Sequence, residues 1–261
     1  MTEWNAAAYN RVSALQKWLA EKSLAGLQLH GDERVLDLGC GDGKVTAEIA
    51  DRVPRGSVLG VDASHEMIAF AERNFPPDRH PRLSFAVAEA TRLAFDGEFD
   101  VIVSFNCLHW VREQAAALRG IARALTAAGY AHLRFVAQGT RQGLEEVIEE
   151  TRRSPPWAAY FPAFATPFFH PTAEQYRALV AANGLRVERL DIQEGAWDFH
   201  SRDAFVEFAD ATFVEWTRML PADRHRAFIN DALDRYARLA DSPAQANVFA
   251  FYQLEAVLRR I

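Results

Sequence analysis

The chain has 261 residues, of which 49% are hydrophobic and 25% charged, and its formal net charge is −6. This composition is typical of a globular protein and too apolar for a disordered one. Neither half of the chain is basic, which argues against a nucleic acid as the main partner. The aromatic residues are unevenly spread, because residues 151–261 contain 18 of the 30.

Other classes of protein are also disfavoured. The longest uncharged stretch, residues 154–173, contains five prolines and therefore does not predict a membrane-spanning helix. The first 30 residues mix charged and apolar positions and contain no apolar signal segment, so we expect a cytoplasmic protein. The two cysteines, Cys40 and Cys107, form neither a disulfide framework nor a metal-ligand spacing, and we expect no metal.

Helices and strands are predicted to alternate through the first half of the chain. A helix over 5–25 comes first. Strands are predicted at 34–38, 57–61, 83–88, 99–105 and 130–137, separated by helices at 45–52, 64–74 and 114–125. Ser64 is the predicted N-cap of its helix, and Gly129 is predicted to end the helix before it. Strands that alternate with helices of this length predict a parallel sheet.

The rhythm changes after residue 138. A loop rich in proline and aromatic residues, 154–171, separates two predicted helices, and the second of these lies between an N-cap at Thr172 and a stop at Gly184. The predicted elements are helices at 141–152 and 172–183, strands at 185–192 and 248–258, and two helices over 201–240 broken at Pro221. We therefore expect one α/β domain with helical insertions.

The strongest local signal is the segment 35–43, Val-Leu-Asp-Leu-Gly-Cys-Gly-Asp-Gly, in which an apolar strand leads directly into three glycines and a helix. Glycines at this place let a ligand approach the strand end and the helix N-terminus. The second strand ends in Asp62, 19 residues after Gly43. A carboxylate at that place accepts hydrogen bonds from ribose hydroxyls in nucleotide-binding folds.

The spacing of the glycines does not favour a dinucleotide. The dinucleotide pattern requires a third glycine at position 44 or 46, and these positions hold Lys44 and Thr46. Asp37, just before the loop, would repel a pyrophosphate and instead favours a ligand that carries a positive amino group. An NAD-dependent enzyme is therefore disfavoured.

These motifs resemble those of the class I S-adenosylmethionine (SAM)-dependent methyltransferases. Segments 35–43 and 60–67 are similar to the first and second motifs of that superfamily. Segment 88–95 is similar to the third, although Asp is commoner in the family where Glu89 stands. Residues 99–105 resemble the fourth strand and 125–129 the turn before the fifth, so the resemblance covers roughly residues 30–137.

The resemblance implies that SAM is the cofactor. By this likeness, Asp37, Gly39 and Gly41 would hold the methionine end, and Asp62 would bind both ribose hydroxyls. Near the adenine, Met67 would pack and Glu89 would accept from the amino group. The remaining cofactor contacts implied are Tyr9, Cys40, Gly43, Ala63, Ala90 and Asn106.

The methyl acceptor is expected beside the sulfonium, beyond the carboxyl ends of the strands. Tyr9 and Gln16 are two turns apart on one face of the predicted first helix. The fourth strand leads into Ser-Phe-Asn-Cys-Leu-His-Trp-Val, which makes Asn106, His109 and Trp110 candidates. Together with segment 220–228, these residues resemble the juvenile hormone acid methyltransferases and their bacterial relatives, with trans-aconitate methyltransferase as a more distant cousin.

This narrower resemblance implies that Gln16 and Trp110 bind the carboxylate of the substrate. Both are neutral hydrogen-bond donors, which hold a carboxylate without reducing its nucleophilicity as an ion pair would. A carboxylate is already ionised at pH 7, so no general base is needed. The aromatic-rich second half suits an apolar pocket. We therefore expect a methyl ester of a small, mostly apolar acid as product; the oligomeric state is left open.

Three alternatives stay open at this stage. A hydroxyl, phenol or amine acceptor would need a base, and His109 is the candidate. A polyacid such as trans-aconitate would need several cations, for which Arg152, Arg153 and Arg177 are available. A SAM-binding protein without catalysis is the third.

The resemblance also implies the fold, a doubly wound Rossmann-like α/β sheet of seven mostly parallel strands, with the last strand antiparallel and a helical cap. We expect a single domain with four kinds of segment: an N-terminal helical segment at 1–29, a SAM-binding core at 30–137, the cap at 138–184 and 200–245, and closing strands at 185–199 and 246–261.

Overall fold

The computed structural model of the chain describes residues 13–240 and 242–261. Seven strands form one sheet in the order β3-β2-β1-β4-β5-β7-β6. β1 to β5 pair in parallel, and β7 is antiparallel to both of its neighbours. The predicted sheet, with only its last strand antiparallel, is confirmed. The strands are β1 Arg34–Leu38, β2 Ser57–Asp62, β3 Leu83–Val87, β4 Phe99–Phe105, β5 Leu125–Val136, β6 Leu185–Asp198 and β7 Val248–Arg260.

Nine α-helices occur in the described part of the chain, none of them long and apolar enough to cross a membrane. Residues 5–12 of the predicted first helix, including Tyr9, lie outside that part. The helices are α1 Ser13–Ala25, α2 Lys44–Arg52, α3 His65–Asn74, α4 Gln114–Ala124, α5 Leu144–Arg153, α6 Ala173–Ala181, α7 Arg202–Thr212, α8 Val214–Thr217 and α9 His225–Ala237.

Three of the four predicted helix ends are confirmed, those at Ser64, Thr172 and Gly184. The side chain of Ser64 accepts a hydrogen bond from the backbone N–H of Met67 at the start of α3. Thr172 and Gln175 form a reciprocal capping box at the start of α6. Gly184, which follows α6, has φ +81°, a conformation that glycine adopts without strain. These local contacts fix where two helices begin, as their sequence patterns predict.

Alternate residues of the central strands are buried on opposite faces of the sheet. Leu36 and Ile102 pack on the face that α4 and α6 cover. Val35 and Val101 pack on the other face, with residues of α1 and α2. Burial on both faces explains why β1 and β4 are almost continuously apolar.

A second apolar cluster forms the cap. It joins α5, the loop that follows it, and α7 to α9, with Phe249 and Phe251 of β7 beneath them. The predicted boundary of the cap at 138–184 is wrong in one respect, because α6 packs on the sheet. Tyr176 of α6 is fully buried there and contacts the ring of Phe135 edge-to-face at 5.1 Å.

Three element boundaries differ from the prediction. Gly129 does not end a helix, since α4 ends at Ala124 and Gly129 lies within β5. β6 continues past the predicted end at residue 192 to Asp198, which pairs with Val248. The sequence does not show this extension, because an edge strand with many exposed polar residues lacks a clear apolar pattern. The segment 201–240 contains three α-helices instead of two, because the chain bends at Phe213 as well as near Pro221.

Gly129 is needed because another strand passes close to it. A Cβ atom there would lie 2.9 Å from the carbonyl oxygens of Phe99 and Asp100. We expect Gly129→Ala to lower the free energy of unfolding by about 1–3 kcal/mol, the usual cost of overpacking. Urea unfolding followed by circular dichroism measures it.

The matched control is Gly120→Ala in α4. Its new Cβ would meet only side-chain atoms of Leu93, at 3.3 Å or more. The gain in helix propensity offsets that contact, so the change should stay below about 1 kcal/mol. Equal stability of the two variants would show that the backbone at Gly129 has room for a side chain.

Candidate functional site

A cavity of about 710 Å³ lies at the carboxyl ends of β1, β2 and β4. β1 is the strand on whose two sides the chain winds in opposite directions, and such a switch point is where open α/β sheets bind ligands. Lys17 and Ala20 of α1 and Pro167 and Glu215 of the cap close the opposite side. The N-terminal helix, the sheet and the cap therefore all contribute to one site.

Most of the predicted site residues meet at this cavity. Two do not line it: Gly43, which instead caps α2, and His109. Tyr9 and the side chain of Gln16 lie outside the described part of the chain, although the backbone of Gln16 belongs to α1. The predicted residues that line the cavity are Asp37, Gly39, Cys40, Gly41, Asp62, Ala63, Met67, Glu89, Ala90, Asn106 and Trp110.

The three glycines of the loop after β1 have different structural roles, although all have positive φ. A Cβ at Gly39 would overlap the sulfur of Cys107, and one at Gly43 would lie 2.8 Å from the ring of Phe85. A Cβ at Gly41 would meet nothing within 4 Å. The first and third glycines are thus required by packing, while Gly41 lies open to the cavity.

Asp37 is a buried carboxylate at the end of β1, with only 2% of the residue exposed. Its Oδ2 accepts a hydrogen bond of 2.8 Å from the hydroxyl of Thr46. Burial, opposed by that bond and reinforced by the nearby charge of Asp62, raises the pKa of Asp37 to about 7. Among the described residues no cation pairs with it, so a positive group in the cavity would relieve the cost of its charge.

Asp62 is held in place at the end of β2 by two backbone groups. Its Oδ2 accepts from the N–H of Gly41 at 3.0 Å, and its Oδ1 accepts from the N–H of Ser64 at 2.9 Å. Each carboxylate oxygen can accept a second bond. Asp62 therefore links the glycine loop to α3 and presents a fixed pair of acceptors to the cavity.

The far end of the cavity is formed by the residues after β3 and by α3. Met67 is buried in its wall, while the side chain of Glu89 is about one third exposed at the rim. Glu89 lies 3.5 Å from Arg92, an exposed and weak ion pair. A flat ring could thus contact the thioether on one side and a carboxylate at its edge.

The other end of the cavity is bounded by the turn after β4. Trp110 ends the short 3₁₀ helix Leu108–Trp110, and its ring meets that of Trp216 edge-to-face at 6.2 Å. Cys107 lines the wall beside it, and burial raises the pKa of its thiol, so it stays protonated. The sheet and the cap come together at Trp110.

His109 is adjacent to Trp110 in sequence but is buried away from the cavity. Burial, and to a smaller extent His170, keep its pKa well below the usual range of histidine. Its Nδ1 is buried without a hydrogen-bond partner in the described part of the chain. The structure therefore does not bring His109 to the place where a base would meet an acceptor.

The three arginines that the sequence suggested for a polyacid are placed elsewhere. Arg152 and Arg153 both bond to the carboxylate of Glu149, and Arg177 donates to the carbonyl of Leu190. None of the three lines the cavity.

Several lining residues were not predicted from the sequence, among them Lys17 of α1, Arg112 after the 3₁₀ helix, and Pro167 and Glu215 of the cap. Lys17 is signalled only by its place beside Gln16. Glu215 is paired with Arg218 at 2.6 Å and belongs to a helix of four residues. No local pattern marks it, because packing of the cap alone brings it to the site.

Comparison with solved structures agrees with this fold. The YcgJ protein of Bacillus subtilis superimposes with a TM-score of 0.64 at 18% identity, covering 94% of this chain and 99% of that one. At that identity the likeness concerns the fold alone.

Sequence comparison identifies the family. The family model of a methyltransferase domain matches residues 35–129. Trans-aconitate 2-methyltransferase of Methylobacterium radiotolerans is 30% identical, covering 92% of this chain and 90% of that protein. Juvenile hormone acid O-methyltransferase of Drosophila melanogaster is 26% identical, covering 78% of this chain and 71% of that protein. With a likeness of this extent joined to the glycine loop and its two carboxylates, the chain belongs to the SAM-dependent methyltransferases, enzymes for which SAM is the methyl donor.

Proposed function

We propose that this enzyme transfers a methyl group from SAM to the carboxylate of a small, mostly apolar organic acid and so forms a methyl ester. The observation that carries the proposal is the placement of His109, which is buried away from the cavity while its neighbour Trp110 lines it. A site whose described lining has an indole donor and no histidine base suits an acceptor that is already ionised. Carboxylic acids meet that requirement at neutral pH.

SAM supplies a methyl group activated by a positive sulfur, so the residues of the chain have only to bind and orient. In this proposal Asp37 holds the amino group of the methionine end, and Asp62 accepts from the ribose hydroxyls. Gly41 leaves room for the backbone of the ligand. Met67 packs on the adenine, and Glu89 accepts from its amino group.

The acceptor is bound at the opposite end, in the proposal, by neutral donors from Trp110 and Gln16. The edge-to-face contact with Trp216 fixes the ring of Trp110. Fixed orientation of an oxygen next to a methyl group is worth several orders of magnitude in rate. Closure by the cap excludes water, which strengthens these neutral bonds.

The apolar character of the acid is supported by the cap. Trp110 packs against the apolar cluster of the cap, and the partly buried rings of Trp18, Phe168 and Trp197 pack against the same cluster. The arginines considered for a polyacid are occupied within the cap and at β6. Relatives named for trans-aconitate and for juvenile hormone acid support an acid as the acceptor.

The first prediction of this proposal concerns Asp37→Asn. The pKa of Asp37 lies near 7 in the folded, ligand-free protein, against an ordinary value of 3.8. Between these values the folded state holds a proton that the unfolded state has released, so wild-type stability falls as pH rises. We expect Asp37→Asn to become progressively more stable relative to the wild type from about pH 4 to about pH 7, with no further change above that range.

The same variant should lose affinity for SAM, because an amide cannot neutralise an amino group. Urea unfolding at several pH values and calorimetry with S-adenosylhomocysteine measure the two effects. Asp51→Asn removes the same charge from an exposed position at the end of α2 and serves as control. If the two variants bind equally well, Asp37 does not hold the ligand.

The second prediction concerns the product and the acceptor site. Incubation with SAM and a panel of fatty, terpenoid, aromatic and tricarboxylic acids should give a methyl ester, detected by mass spectrometry, for an apolar acid. Trp110→Phe should lower kcat/KM for that acid roughly tenfold or more, the cost of one lost donor, with affinity for S-adenosylhomocysteine retained. Trp157→Phe removes an indole donor that bonds to Asp231 in the cap, and serves as control.

The pH profile separates this proposal from a base-catalysed alternative. At saturating SAM, kcat should be flat above about pH 6.5, because the acceptor is already ionised. If kcat of the wild type instead follows an ionisation, and this pH dependence disappears in His109→Gln, the result would favour a phenol, hydroxyl or amine acceptor. Binding of SAM without turnover on any acid would contradict the proposed reaction.

A further inference from the structure

A line of buried polar side chains runs from the sheet to the cavity. The Nε of Arg134 on β5 donates to the Oε1 of Gln253 on β7 at 2.6 Å. The Nε2 of Gln253 donates to the Oδ1 of Asn106 at 2.5 Å. Arg134 is 5% exposed and Gln253 is 2% exposed, and Asn106 lines the cavity. We call this line of two bonds the amide relay.

The chemistry of arginine fixes the direction of every bond in the amide relay. A guanidinium has only donors, so the atom of Gln253 that faces Arg134 has to be the oxygen. The amide nitrogen of Gln253 then faces Asn106, and the atom of Asn106 that receives it has to be the oxygen. The NH₂ group of Asn106 is then the part of its side chain that can donate a hydrogen bond to a molecule in the cavity. No other hydrogen bond of that NH₂ group occurs among the described residues.

Asn106 is also fixed by its backbone. It follows β4 with φ +56°, a left-handed conformation that Asn tolerates better than most residues. Its N–H donates to the carbonyl of Arg134 at 2.7 Å. Both ends of Asn106 are therefore tied to the same residue of β5, one directly and one through Gln253.

The charge of Arg134 makes this donor selective. Arg134 lies opposite Glu255 in the sheet, but Glu255 also bonds to His132 and Arg189. A cation at the far end polarises both amides in the same sense and strengthens the donor at the cavity. It also disfavours a positive group beside Asn106. A carboxylate oxygen is the partner that fits such a donor.

We propose that Arg134 and Gln253 are positioning residues that orient Asn106 to donate a hydrogen bond to a carboxylate in the cavity. That carboxylate belongs either to the methionine end of the cofactor or to the acceptor acid. Binding of the acceptor acid rests on the proposed function, whereas binding of the cofactor's carboxylate does not. Two measurements, cofactor affinity and KM for the acid, distinguish the sources.

The test is Gln253→Glu, which keeps the size of the side chain and its bond to Arg134 but removes the N–H. Asn106 then has to turn its NH₂ group toward position 253 and present its oxygen to the cavity. We expect affinity for the bound carboxylate to fall roughly tenfold to hundredfold, the cost of an unsatisfied acceptor. Weaker binding of S-adenosylhomocysteine in calorimetry identifies the cofactor, and a higher KM for the acid with unchanged cofactor affinity identifies the acceptor.

Two further variants serve as controls. Asn183→Asp makes the same amide-to-acid change where the amide oxygen also bonds to an arginine, Arg119, away from the cavity. It should leave both constants as in the wild type. Arg134→Lys keeps a positive side chain that can only donate hydrogen bonds. If such a donor is what orients the two amides, the affinity for the carboxylate should stay within about threefold of the wild type. If Gln253→Glu fails to fold, Asn106→Asp removes the donor itself and carries the same expectations.

A ligand-free measurement separates failure of the amide relay from failure of the proposed function. In the wild type the side-chain NH₂ protons of Asn106 should exchange readily with water in the cavity. In Gln253→Glu they should be protected, since they bond to a buried carboxylate. Equal exchange in the two proteins overturns the amide relay whether or not any acid is methylated. The amide relay is also overturned if Gln253→Glu changes binding no more than Asn183→Asp does.

Discussion

The central constraint on this site is the burial of the carboxylate of Asp37. Its burial, reinforced by the nearby carboxylate of Asp62, raises its pKa to about 7, although one hydroxyl bonds to it. A positive ligand group would make its ionised form more favourable. The glycine loop and Asp62 lie around it, held by backbone bonds that leave the cavity free. The same constraint explains why a pyrophosphate does not suit this loop.

A second buried acid, Glu149, holds parts of the cap to one another. Glu149 on α5 accepts from Arg152, from the indole of Trp216 and from the hydroxyl of Thr166. Burial alone would raise the pKa of Glu149, but these bonds bring it below its ordinary value. Because Trp216 packs on Trp110 and Thr166 precedes Pro167, one carboxylate positions two sides of the end of the cavity proposed for the acceptor.

The arrangement of the residues at the end of the cavity proposed for the cofactor could be predicted from the sequence because its signals are local. A strand, a glycine loop and a carboxylate at the end of the next strand lie within thirty residues, and Ser64 caps its helix through a contact with Met67. The acceptor end could not be predicted in the same way. Glu215 reaches it only through packing of the cap. His109 and Trp110 are neighbours in sequence, yet a 3₁₀ turn buries one and leaves the other at the cavity.

The most direct test of this account is a titration of the Asp37 carboxyl carbon by NMR, with and without S-adenosylhomocysteine. The account predicts a pKa near 7 in the free protein and a value well below that in the complex, because the ligand's amino group stabilises the charge. An ordinary pKa in the free protein, or one that the ligand leaves unchanged, would contradict the claim that a buried acid at the end of β1 selects a cationic methyl donor.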